Sequence, residues 1–163
     1  MERVSLDLDN ASSIADKDLP SPEDFERWLL PCLAPERFSS TLAPVEKNNP
    51  SLSIRIVNET ESQTLNNQYR GKNSATNVLS FPCDLPPEVE LELLGDLVIC
   101  AQVVAREAQE QGKSITAHWA HMTVHGCLHL LGFDHIEDSD AEIMETLETA
   151  ILKALDFPAP YEQ

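Results

Sequence analysis

The stretch Gly95-Asp96-Leu97-Val98-Ile99-Cys100-Ala101-Gln102-Val103-Val104-Ala105-Arg106-Glu107-Ala108-Gln109-Glu110-Gln111-Gly112 is where this chain changes its period. Its first six residues are a short aliphatic run of strand length. The next eleven, Ala101 to Gln111, read as a helix, and Gly112 can close it in a left-handed conformation. Strand patterns dominate on the N-terminal side of this junction and helical ones on the C-terminal side.

Reading towards the N-terminus, Cys83 to Leu94 carries Pro86 and Pro87 and reads as a connecting loop. Asn77-Val78-Leu79-Ser80-Phe81 is a strand stopped by Pro82, and a helix fits about Thr60 to Tyr69. Leu52-Ser53-Ile54-Arg55-Ile56-Val57 and Val4-Ser5-Leu6-Asp7-Leu8 alternate apolar and polar as half-buried strands do. Between these two, Pro20 and Pro22 introduce a helix from about Glu23 to Leu33 with Phe25, Trp28, Leu29 and Leu33 apolar. Residues 34 to 51 are Pro-, Ser- and Asn-rich loop. Reading the other way, Ser114 can cap a helix over Ile115 to Leu131 that ends at Gly132. Ser139-Asp140-Ala141-Glu142 fits a capping box. The helix behind it is expected to place Ile143, Leu147, Ile151 and Ala154 on one face. The expectation is an α+β fold, a small sheet packed against several helices.

The 163 residues suit one domain, 1–163. Cys32, Cys83, Cys100 and Cys127 are scattered without a C-x-x-C pair and read as small buried hydrophobes. The opening Met1-Glu2-Arg3-Val4-Ser5 lacks the layout of a secretion signal, and no apolar run is long enough to span a bilayer. A cytoplasmic protein is therefore expected. With 28 acidic against 11 basic residues the formal charge is -17. That argues against nonspecific nucleic-acid binding, which draws on Lys and Arg. A nucleic-acid role would need a local positive site.

All five histidines lie between positions 118 and 135. Within His125-Gly126-Cys127-Leu128-His129-Leu130-Leu131-Gly132-Phe133-Asp134-His135, the first two imidazoles are four residues apart on a helix and share one face. Gly132 lets the chain leave the helix and bring His135 back to the same ion. Three imidazoles with an open fourth position suit a catalytic zinc. His118 and His121 fall on the same stripe and compete as ligands. However, three side chains along a straight helix converge poorly on one ion, so packing or support is the reading for these two. The spacing H-x-x-x-H-x-x-G-x-x-H is that of metzincin proteases, whose general base is a Glu directly after the first histidine. Here that position is Gly126: the spacing speaks for a metal hydrolase, while the missing Glu speaks against peptide hydrolysis. A second segment, Tyr69 to Pro82, places Arg70 and Lys72 close together. An arginine fork suits a phosphate or a developing oxyanion, though a solvated loop charge explains the pair equally well.

Together these segments resemble the bacterial YbeY endoribonucleases, or rRNA maturation factors. The resemblance rests on Tyr69-Arg70-x-Lys72 with Thr76-x-Val78-Leu79-Ser80-Phe81-Pro82, on Gly95-Asp96-Leu97-Val98-Ile99, and on the histidine motif. It runs from about Leu52 onward. It implies zinc on His125, His129 and His135, a functional role for Arg70, and a mixed four-stranded sheet. It further implies a cytoplasmic, single-strand-specific metallo-endoribonuclease acting in small-subunit rRNA 3′-end maturation and ribosome quality control, with RNA and the ribosome or its proteins as partners. The family often has Asp where this chain has Asn73 and Asn77. Asn makes most of the same turn hydrogen bonds, so both read as structural. Two rivals are a non-catalytic ribosome-assembly factor with a structural zinc, and a metal-dependent hydrolase of another substrate.

Overall fold

The computed structural model describes residues 4–39, 42, 50–83, 93–133, 138–158 and 160, with backbone alone for 138–140. Four strands form one mixed sheet: β1 (Ser5–Asn10), β2 (Ser51–Val57), β3 (Val78–Pro82) and β4 (Leu93–Cys100), in the order β1-β2-β4-β3. β1, β2 and β4 run parallel, and β3 returns antiparallel to β4 as an outer strand. The helices are α1 (Pro22–Cys32), α2 (Glu59–Arg70), α3 (Ala101–Gln111), α4 (Ile115–Leu130) and α5 (Asp138–Ala154). The α+β architecture expected from the sequence is present. β4 starts two residues earlier than its pattern suggested. Ser51 pairs with Leu93 but Leu52 with Gly95, so Leu94 is an extra residue at a bulge. Gly95 sits there at φ 142°, where an added Cβ would lie 2.3 Å from the Phe81 carbonyl oxygen.

The alternation in β2 sends Leu52, Ile54 and Ile56 to a large core shared with Phe25, Trp28 and Leu128. The opposite face of the sheet carries a smaller cluster, Val57, Leu79, Val98, Cys100 and Val103, with Leu65 and Phe81 packed against it. α1 opens with a capping box absent from the sequence reading. Ser21 Oγ accepts from the Asp24 N–H at 3.1 Å, and Asp24 Oδ2 accepts from the Ser21 N–H at 3.1 Å. α4 is capped by Ser114, whose hydroxyl accepts from the Ala117 N–H at 3.1 Å. It ends at Gly132, φ 101°, as the sequence suggested.

α4 is the central helix, buried nearly all round among α1, α3, α5, β3 and β4. Gly126 makes its approach to the sheet possible: a Cβ there would lie 2.8 Å from Leu97 Cδ2 and 3.1 Å from Val78 Cγ2. Ser80 Oγ on β3 donates to the Gly126 carbonyl at 3.1 Å, tying the strand to the helix at that point.

α5 departs from the expected face. Ile143 is 47% exposed and Ala154 is exposed, whereas Met144, Leu147, Glu148, Ile151 and Leu152 turn inward. Spacings of three and four fit either phase, and the phase that buries Glu148 looks wrong until its partners are known. Loop 83–94 falls mostly outside the described residues, and so do the side chains of Ser139 and Asp140 in the expected capping box. Cys32, Cys100 and Cys127 are buried and Cys83 is half-buried, all as free thiols.

Candidate functional site

β3 lies along an open cleft of about 1060 Å³. One wall is the end of α4 with His125 and His129; the other is the end of α2 with Tyr69 and Arg70. α2 delivers Arg70 there because it stops at Gly71 in a left-handed conformation, φ 69°. No carboxylate occurs among the described lining residues. In a chain with 28 acidic residues this is a local exception, with Arg70 as the basic residue of the described lining.

His125 and His129 meet as the four-residue spacing requires, with Nε2 to Nε2 at 3.1 Å. The opposite nitrogen of His125, Nδ1, is hydrogen-bonded to Oε1 of Glu148. A carboxylate holding Nδ1–H leaves the Nε2 lone pair to face the cleft. Two such nitrogens at 3.1 Å can both lie ~2.0–2.1 Å from one ion, so the donor set fits a metal. His135, the third expected ligand, and its neighbour Asp134 lie outside the described residues.

Glu148 is the residue that sequence reasoning missed. It is 0% exposed and reaches His125 through one oxygen and His121 Nε2, at 3.3 Å, through the other. Burial alone would raise its pKa, but the bonds from His121 and His125 hold it down to about 2. His121 accepts in turn at Nδ1 from Lys113 Nζ at 3.3 Å, and burial pushes its own pKa down. His121, His125 and Glu148 bring ligand atoms within 4.8 Å of one another and could also hold an ion. Neither His121 nor Glu148 lines the cleft. An ion held by that trio would sit behind His125, away from the cleft.

Arg70 is exposed and, among the described residues, has no carboxylate partner. Lys72 is exposed and does not line the cleft. Asn73 accepts from Gln63 Nε2 at 2.9 Å, outside the cleft. Asn77 lines it and donates through Nδ2 to Glu107 at 3.0 Å, a bond that an ionised Asp could not make. Glu107 also meets His118 Nε2 at 2.8 Å. The His118 bond holds its carboxyl below the usual range against the opposing effect of burial, and Asn77 adds to it. His118 is thereby tied to α3 at 1% exposure, a structural position.

A family model described as Endoribonuclease YbeY matches residues 15–156. Among solved structures, the solution structure of TM1509 from Thermotoga maritima superimposes with a TM-score of 0.50 at 21% identity, covering 98% of this chain and 99% of that one. That likeness is one of fold. No helix among the described residues is long and apolar enough to cross a membrane.

Proposed function

The chain belongs to the YbeY endoribonuclease family, and from that premise we propose that it is a zinc-dependent, single-strand-specific endoribonuclease of 1–163 acting as one domain. Its role in this reading is small-subunit rRNA 3′-end maturation and ribosome quality control in the cytoplasm. The observation that carries the proposal is the cleft. Arg70, His125 and His129 line it together, and its described lining holds no carboxylate.

His125 and His129 would hold the ion through Nε2, with His135 returning beyond Gly132. A zinc ion held there supplies Lewis acidity to a phosphoryl oxygen and lowers the pKa of water. Glu148 keeps the proton of His125 on Nδ1, away from the ligand nitrogen. Arg70, uncommitted to any carboxylate among the described residues, offers its fork to the phosphate and stabilises the extra negative charge of the transition state. Val78, Leu79 and Phe133 add apolar lining beside these polar groups. Position 126 offers no base, since its Cβ direction points at Leu97 and Val78.

The surrounding acidity limits how much RNA backbone the protein can engage unaided. Delivery by the ribosome or a ribosome-associated protein follows from that limit. A second reading, an assembly factor with a structural ion, is favoured by the inner trio of His121, His125 and Glu148. Cleavage of single-stranded RNA by wild type beside Arg70→Ala and His125→Ala separates the two. The enzyme reading requires activity that both substitutions lower by about a hundredfold or more in folded protein. Cleavage unaffected by either would end it.

A further inference from the structure

Tyr69 is 60% exposed, the most exposed large hydrophobic side chain among the described residues. It stands at the cleft, beside Arg70 in sequence. It is not a loose surface aromatic. Its ring meets that of Phe81 with centroids 5.0 Å apart and planes at 71°, an edge-to-face contact. Phe81 is itself packed on the small cluster of Val57, Leu79 and Val98 on the far face of the sheet. The pair joins the end of α2 to the outer strand β3, so the Tyr69 ring is held at a fixed attitude while most of its surface stays in water.

We propose that Tyr69, braced by Phe81, is a stacking platform for one unpaired nucleobase of the RNA, next to the phosphate that Arg70 engages. The inference rests on the ribonuclease reading above and extends it to how the substrate is gripped. Three observations converge on it. The ring is exposed at the border of the cleft where substrate must lie, so a base entering that cleft meets it directly. A pre-ordered ring loses little further freedom on binding, so the contact is efficient. A chain with a formal charge of -17 gains little from phosphates, whereas base–aromatic stacking needs no positive charge and tolerates any sequence. The platform also accounts for a single-strand requirement, since a base paired within a duplex keeps its faces stacked on its neighbours.

The test is a cycle on both partners. Cleavage of a single-stranded RNA by the metal-loaded protein is compared with that of the same RNA carrying one abasic residue, moved in steps along the strand. Wild type, Tyr69→Ala and Tyr69→Trp are assayed after cooperative unfolding has been verified for each. Tyr69→Ala is expected to raise KM about tenfold with kcat little changed, and Tyr69→Trp to restore it. An abasic residue at one position beside the cut should raise the wild-type KM by the same factor and leave Tyr69→Ala unaffected. If wild type cleaves but Tyr69→Ala matches its KM, or if the two losses simply add at every position, the platform falls and the ribonuclease reading stands. If wild type cleaves no single-stranded RNA, both fall.

Discussion

Replacing Glu148 by glutamine keeps its volume and removes its charge. In the native site both oxygens accept, Oε1 from His125 Nδ1 and Oε2 from His121 Nε2. An amide offers one acceptor and, at the other atom, a donor. One ring must therefore face an N–H with its own N–H, or move its proton to the other nitrogen. Losing one charge-assisted bond at a position 0% exposed costs about 1.5–3 kcal/mol. For a domain of this size that lowers the melting temperature by roughly 3–12 °C. If His125 is the ring that yields, its proton shifts to Nε2 and the lone pair facing His129 is lost. Metal affinity should then fall about 10–100-fold. Glu148→Ala removes both acceptors and should cost about 3–5 kcal/mol. Chelator competition measures the affinity, and thermal unfolding of the metal-free proteins isolates the structural part. A folded Glu148→Ala, in which Nδ1 of His125 loses its carboxylate whichever ring yields in the glutamine variant, that binds zinc within about threefold of wild type would refute the role assigned to this carboxylate.

Elemental analysis of protein purified without added metal should give about one zinc per chain, lost in His129→Ala and largely kept in His121→Ala. The reverse pattern would move the ion to the inner trio. The affinity for single-stranded RNA should fall shallowly with salt, with a slope matching about two or three phosphates at roughly 0.7 each. A steep slope would reveal a basic surface that the cleft does not contain. Glu107 has its pKa depressed, chiefly by His118, so its contribution to stability is present above the unfolded value of ~4.3 and is lost as pH falls through the folded value. Glu107→Gln should therefore flatten the acid limb of the stability curve below about pH 4.3, leaving its shape near neutrality unchanged. An acid limb identical to that of wild type in urea unfolding would count against this network.

β2 was legible from its local period of two, and α4, buried nearly all round, from Ser114 and Gly132, which mark its ends. The pairing of His125 with His129 was legible as well, since four residues on a helix fix a distance. Arg70 could be suspected but not placed. Its link to the histidines depends on β3 running between α2 and α4, a relation no local pattern carries. Glu148 was hidden twice over. It lies 23 residues beyond His125, on another helix, and hydropathy assigns a carboxylate to the solvent side. With Met144, Leu147, Ile151 and Leu152 around it, the correct helical phase would have flagged it as a buried acid in need of partners. The exposed ring of Tyr69 was equally unreadable, because at the penultimate position of α2 it could as well have been core.

The contact at Gly126 bears on which activities lie within mutational reach of this scaffold. The spacing of its histidines is shared with a large class of peptidases, and on paper one substitution, Gly126→Glu, would complete their motif. Here that codon is already committed to the seating of α4 on β3 and β4, with Leu97 Cδ2 at 2.8 Å from where a Cβ would stand. Even a methyl group must displace core side chains, at about 1–3 kcal/mol, and a carboxylate would in addition be thrust among aliphatics without a partner. The route from nuclease to protease thus meets a packing cost before catalysis is ever tried. A lineage on this scaffold would first have to make room at Leu97 and Val78, under the turn of α4 that carries His125.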